Sequence, residues 1–204
     1  MKRGDIDALL FDVGGVLVEI DFDRVLQRWA ELSGAGFSQL KQRFDHGEAY
    51  QRHERGEIDA ATYFESLRAT LGVELSDDDF EDGWARVFGA EIRPTVALLP
   101  RLAARIPIHL FSNTNPSHHR YWSGRYGTAM RPIARHFISS EMGLRKPERE
   151  SFEHVARTLG VPVGRILFFD DTAANIEGAR AAGMPAVRVH SPADVERAVR
   201  PWLD

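Results

Sequence analysis

Asp12 ends the apolar run Ala8-Leu9-Leu10-Phe11 and meets two glycines, Gly14 and Gly15. Three more short segments carry reactive groups: Ser112-Asn113, Lys146-Pro147 and the acidic pair Asp170-Asp171. A carboxylate nucleophile, a hydroxyl with an amide, a lysine and an acidic pair are the parts needed for magnesium-dependent chemistry through an aspartyl phosphate. A phosphoryl group in transfer spreads negative charge over its oxygens, so its site must offer a nucleophile, a divalent cation and fixed donors. Asp12 is the candidate nucleophile. Gly14 and Gly15 turn without a side chain in the way, so the main-chain carbonyl of Gly14 can face a metal. Ser112 and Asn113 offer a hydroxyl and an amide to phosphate oxygens, and Lys146 supplies a point positive charge beside the turn at Pro147. Asp12, Asp170 and Asp171 suit Mg2+, which prefers oxygen ligands and retains several waters.

The elements that must position these groups follow from periodicity. Apolar runs at Ala8 to Phe11, Ile106 to Phe111, His136 to Ser139, Ile166 to Phe169 and Ala186 to Val189 predict buried strands. Helices are predicted over Thr95 to Ala104, Glu148 to Leu159, Ala173 to Ala182 and Ala193 to Leu203, with Gly160 and Gly183 closing the middle two. Such alternation predicts an α/β Rossmann-like, doubly wound parallel sheet, whose ligands bind beyond the carboxyl ends of the strands. Asp12, Ser112 and Asp170 each follow such an end. An isolated aspartate there could equally be a helix cap; three together are hard to obtain by chance.

Between residues 19 and 90 the pattern is helical, with no strand predicted. Phe22, Val25, Leu26, Trp29 and Leu32 share one face between Asp21 and Gly34, and Phe64, Leu67 and Leu71 share another between Asp59 and Gly72. Ser76 and Asp79 have capping-box spacing, with Phe80, Trp84 and Phe88 continuing that face as far as Gly89. The expected organisation is a catalytic core of residues 1–18 and 91–204, with a helical cap at 19–90.

Composition narrows the class. With 204 residues, 43% hydrophobic and 27% charged, the chain is long enough for one core and a small accessory unit. A formal net charge of -4 offers no basic face to a nucleic acid, and the absence of cysteine excludes disulfides and thiolate metal sites. The apolar stretch before Asp12 is too short and too acidic for a signal peptide or membrane span, so a soluble, cytoplasmic protein acting on a small molecule is expected, as monomer or dimer.

In order along the chain, Asp12-Val13-Gly14-Gly15-Val16, Ser112-Asn113, Lys146 and Asp170-Asp171 resemble the four motifs of the haloacid dehalogenase superfamily. The insert after the first motif resembles its small helical, C1-type cap. Phe11-Asp12-Val13-Gly14-Gly15-Val16, Gly47-Glu48, His53-Glu54-Arg55-Gly56-Glu57-Ile58, Ser112-Asn113-Thr114-Asn115, Gly143-Leu144-Arg145-Lys146-Pro147 and Phe168-Phe169-Asp170-Asp171 are similar to the alpha-D-glucose-1-phosphate phosphatase subgroup. The resemblance implies hydrolysis of a sugar phosphate through phospho-Asp12. It departs at Gly14, where most phosphatases of the superfamily carry an acid-base aspartate. A glycosyl phosphate, whose anomeric oxygen leaves readily, suits a site without that acid. Glu19 and Asp21 are conceivable replacements, although helix-start caps or surface charges describe them better.

Two other readings compete. A hydrolytic 2-haloacid dehalogenase also uses an aspartate nucleophile but needs no cation, which would leave Asp170-Asp171 as unneutralised charge. A sugar-phosphate sensor would have no need of a nucleophile. Glu48, His53, Glu54 and Arg55 in the insert, with Asn115 after the second motif, are candidates for substrate specificity, against the plainer reading of a solvated helix face. Tyr50 and Trp122 share that ambiguity. Trp29, Phe64, Trp84 and Phe88 read as cap core, and His118-His119 as a surface turn rather than a metal site.

Overall fold

The computed structural model describes residues 3–203; positions 1, 2 and 204 of the expected core lie outside the described residues. The strands are β1 (Ala8–Phe11), β2 (Val18–Ile20), β3 (Phe88–Glu91), β4 (Ile108–Ser112), β5 (Arg135–Ile138), β6 (Ile166–Asp170) and β7 (Ala186–Arg188). The helices of the insert are α1 (Phe22–Ser33), α2 (Phe37–Arg43), α3 (Glu48–Glu54), α4 (Ala60–Leu71) and α5 (Asp77–Trp84). Those after it are α6 (Arg93–Val96), α7 (Leu99–Ala103), α8 (Pro116–Met130), α9 (Ser139–Met142), α10 (Arg149–Leu159), α11 (Ala173–Ala181) and α12 (Pro192–Leu203).

Five strands form one parallel sheet in the order β5-β4-β1-β6-β7. Side-chain alternation sends Leu9 and Phe11, with Leu110 and Phe169, to one face, against Trp122 and Tyr126 of α8 and Val195, Val199 and Trp202 of α12. Leu10, Phe111 and Phe168 go to the other, against Phe152 and Val155 of α10 and Ile176 of α11. Burial on both faces is why these strands read as unbroken apolar runs. The sheet is therefore doubly wound, and β1 lies between β4 and β6 with their carboxyl ends side by side.

The helices of the insert pack among themselves. Trp29 and Trp84 stack at 5.6 Å, the Trp29 indole N–H donates to the Phe80 carbonyl at 3.2 Å, and Tyr63, Phe64 and Leu67 close the cluster. Asp21 caps α1 by accepting from Asp23 N at 3.0 Å. The capping box of α5 is present in both directions, Asp79 N to Ser76 Oγ at 3.1 Å and Ser76 N to Asp79 Oδ2 at 3.2 Å.

Four expectations need correction. The insert is bounded by strands: β2 and β3 pair antiparallel, Val18 with Glu91 and Ile20 with Phe88, a contact between residues too far apart in sequence for local periodicity to register. Phe88 accordingly leaves the α5 face, since that helix ends at Trp84 and Ala85–Val87 form a 3-10 turn. The single helix over Thr95 to Ala104 is two short ones, because Pro100 has no N–H to continue the first and instead opens α7. Finally, α8 occupies a stretch read as a turn. Asn115 caps it, Pro116 begins it, and Trp122, Tyr126 and Met130 bury one face at four-residue spacing despite Gly124 and Gly127. Among the described residues no helix is long and apolar enough to cross a membrane.

Candidate active site

The carboxyl ends of three neighbouring strands bring the reactive groups together. Asp12 follows β1, and its N–H continues the ladder to the Phe169 carbonyl of β6 at 2.9 Å. Lys146, only 1% exposed, reaches under it from the loop before α10. Its Nζ donates to Asp12 Oδ1 at 2.8 Å, Asp170 Oδ2 at 2.8 Å and the Phe111 carbonyl at 2.9 Å. Three acceptors use all three protons of an ammonium, so this lysine is held in one place. Phe111 and Phe168 flank it, with ring centroids 5.2 and 5.3 Å from Nζ.

Asp170 is wholly buried and held from the other side: Oδ1 accepts from Thr172 N at 2.8 Å, and Asn175 Nδ2 lies 3.0 Å from both oxygens. Asp171 is turned outward beside Gly15. A Cβ on Gly15 would collide with the Asp171 carboxylate, and its φ of 66° is in the left-handed region, so this close approach requires glycine. Asp12, Asp170 and Asp171 each offer an oxygen within 4.8 Å of the others. Three carboxylates facing one ammonium leave an excess of negative charge. Burial, reinforced by Asp170 and Asp171 and opposed by Lys146, pushes the Asp12 carboxyl up to about 7. Burial and then Asp170 raise Asp171 too. Burial works against the Lys146 ammonium, but Asp12 and Asp170 outweigh it and hold the group above its ordinary range.

Ser112, at the end of β4, lies in the lining of a cavity of about 500 Å³ together with Asp12, Gly14, Asn113, Lys146 and Asp171. The Asn113 side chain has another partner. Its Nδ2 donates to the Lys146 carbonyl at 2.8 Å and its Oδ1 accepts from the Lys146 N–H at 2.9 Å, so the amide expected on phosphate clasps the lysine's peptide instead.

The insert supplies Phe22, His46, Tyr50 and Glu54 to the same cavity, and the core adds Thr114, His118, Trp122 and Arg145. Tyr50, Trp122 and Glu54, which the sequence leaves open, thus face it. The other proposed specificity residues do not line it. Glu48 is exposed in the first turn of α3. His53 is buried in the insert, stacked on Tyr63 at 4.8 Å with Nδ1 3.1 Å from the Ile58 carbonyl. Arg55 pairs with Glu57 at 2.6 Å and Glu148 at 3.0 Å, and Asn115 accepts from His118 N at 2.9 Å as the cap of α8. Glu19 accepts from Ala90 N at 3.2 Å and Asp21 pairs with Arg24 at 3.3 Å, both outside the lining. His118 is not on a surface turn. It is buried, stacks on Trp84 at 4.5 Å and has Nε2 3.1 Å from the Trp84 carbonyl. A carbonyl only accepts, so Nε2 carries the proton, and burial holds this imidazole neutral, down to about 3. His46 and Asn175 escape the sequence reading, and Arg145 enters it only within the motif of residues 143–147, with no role given. His46, Tyr50 and Glu54 recur every four residues, the spacing of one helical face, which is the signal that points to the first of these.

A family model described as haloacid dehalogenase-like hydrolase matches residues 6–183. Across 194 residues, 93% of this chain and 94% of the relative, the chain is 25% identical to a D-ribitol-5-phosphate phosphatase of Bacteroides thetaiotaomicron. A haloacid dehalogenase family enzyme of Bacteroides thetaiotaomicron, solved in complex with magnesium and inorganic phosphate, superposes with a TM-score of 0.78 at 25% identity, over 91% of this chain and 95% of that one. A predicted haloacid dehalogenase-like family hydrolase from Porphyromonas gingivalis shares the fold with a TM-score of 0.81 at 22% identity, over 96% and 98% of the two chains.

Proposed function

The chain belongs to the haloacid dehalogenase-like hydrolases, an enzyme of the phosphatase kind acting on phosphate esters; from that premise we propose that it hydrolyses a small sugar or polyol phosphate, such as alpha-D-glucose 1-phosphate, through a phosphorylated Asp12. The observation that carries this reading is the Lys146 ammonium fixed between Asp12 and Asp170 at the mouth of the sheet. The family and the Bacteroides thetaiotaomicron relative support phosphate-ester chemistry, and the missing acid at Gly14 favours a good leaving group.

The residues fit a divalent cation: three carboxylates with oxygens within 4.8 Å of one another face a single ammonium. Asp12, Asp170, Asp171 and the main-chain carbonyl of Gly14 would hold Mg2+. When bound, the cation neutralises these carboxylates and the charge on the phosphoryl oxygens. Asp12 then attacks phosphorus with one carboxylate oxygen, the ester P–O bond breaks, and the departing oxygen takes its proton from water, since Gly14 has no side chain to supply one. Water cleaves the acyl phosphate, releasing inorganic phosphate and restoring the Asp12 carboxylate. Ser112 Oγ donates to a phosphoryl oxygen. Lys146 aims Asp12 and opposes the effect of burial on its carboxyl, and Asn113 keeps Lys146 in register through its peptide. Residues 19–90 act as the cap, keeping bulk water out while Asp12 attacks, admitting the one water that later cleaves the acyl phosphate, and reading the leaving group. Phosphate release from a panel of sugar and polyol phosphates, with and without magnesium, is the test. Release should require the metal, and full turnover in excess chelator would refute the mechanism.

A further inference from the structure

One charged pair in the cavity lining has no part in phosphoryl transfer. Glu54 comes from the last turn of α3 and is 4% exposed, and Arg145 precedes Lys146 in the core loop. Nε and Nη2 of Arg145 both lie 2.9 Å from the same oxygen, Oε2 of Glu54. Both contacts fall on Oε2, so each partner retains capacity: Nη1 on the guanidinium, and Oε1 on the carboxylate. A pair of this kind contributes little net stability, because desolvation offsets its attraction. Nor is it needed to hold α3 on the core. Ser139 Oγ donates to the Glu54 carbonyl at 2.6 Å, and Arg55 bridges to Glu148 at 3.0 Å.

We propose that Glu54 and Arg145 determine specificity by reading two adjacent hydroxyls of the leaving group, Glu54 accepting from one and Arg145 donating to its neighbour. The inference rests on the phosphatase reading above. A hydroxyl is both donor and acceptor, so a vicinal diol complements a carboxylate and a guanidinium set side by side. The placement matches a short substrate. Arg145 and Lys146 are consecutive, their Cα atoms about 3.8 Å apart, and their side chains diverge, one to the insert and one to Asp12. A phosphoryl group at Asp12, which Lys146 holds, leaves the hydroxyl-bearing carbons on the side of Arg145.

The test uses full-length Asp12→Asn protein with magnesium, which cannot form the phospho-aspartate and so reports equilibrium binding. Calorimetry compares sugar and polyol phosphates with phenyl phosphate, whose leaving group has no further hydroxyl. The parent should prefer the hydroxylated esters, and Glu54→Gln and Arg145→Gln should each reduce that preference at least tenfold. A merely structural pair would weaken both ester classes equally and leave the preference intact, and that result overturns the proposal. If Arg145→Gln does not fold, Glu54→Gln, which keeps shape and an acceptor for Arg145, decides alone. A parent that binds both classes equally overturns this inference but not the phosphatase reading; a parent that binds no phosphate ester overturns both.

Discussion

At Gly14 a Cβ would stand 2.9 Å from Ile20 Cγ1, so the isoleucine occupies the space in which an acid-base side chain would begin. The site is thus built around the absence of that acid, and adding one requires making room. In an Ile20→Ala background, Gly14→Asp should raise turnover of glucose 6-phosphate relative to glucose 1-phosphate by up to roughly a hundredfold, the range of general acid catalysis. The ratio of the two kcat/KM values measures it. An unchanged ratio in a folded, magnesium-binding variant would mean another group already delivers the proton. The nucleophile admits a simpler prediction. An amide cannot form an acyl phosphate, so Asp12→Asn should abolish phosphate release while leaving the far-ultraviolet circular dichroism unchanged; wild-type turnover in that variant would remove Asp12 from its role.

Among the elements, α9 is a junction out of proportion to its length. The Ser139 hydroxyl, wholly buried, accepts from Thr114 N at 2.8 Å and lies 2.6 Å from the Glu54 carbonyl, joining the loop after β4 to the end of α3. Removing it strands a buried N–H and a carbonyl, so Ser139→Ala should destabilise by about 1–3 kcal/mol, read as a lower urea midpoint. An unchanged midpoint would show that water replaces the clasp. Local sequence carries some of these elements and not others. Strands β1, β4 and β6 are legible because burial on both faces makes them continuous apolar runs, and Asp12, Ser112 and Asp170 are legible because they end or follow those runs. The β2–β3 ribbon is not, since its pairing spans the whole insert. Helix phase is the other loss: the motif His53-Glu54-Arg55 announces chemistry, yet only its middle residue faces the cavity, in step with Tyr50 one turn earlier. Arg145 likewise hides beside the more conspicuous Lys146, because its partner Glu54 is distant in sequence.

Across the whole molecule, two sets of buried groups pull stability in opposite directions with pH. Burial holds His118 down to about 3 from 6.5, so below pH 6.5 the unfolded chain binds a proton that the native one refuses, and stability falls with acid. Asp12 does the reverse. Its carboxyl rises from 3.8 to about 7, so in metal-free protein the native state holds a proton that the unfolded chain has lost, and this contribution fades as pH rises from 4 to 7. Magnesium competes with that proton for the same carboxylate, and its stabilisation, RT ln(1 + [L]/Kd), should therefore grow with pH as the apparent Kd falls. The metal-induced rise in Tm should be small at pH 5 and several degrees larger at pH 8. Asp12→Asn should weaken this dependence, because the amide has no proton to surrender and only the raised Asp171 carboxyl still exchanges one for the metal. Thermal melts of both proteins at those two pH values, with and without saturating magnesium, measure the effect. A metal-induced shift equal at pH 5 and pH 8 would place the cation away from Asp12, whereas a shift that grows more steeply in the parent than in the variant ties metal binding to deprotonation of the nucleophile.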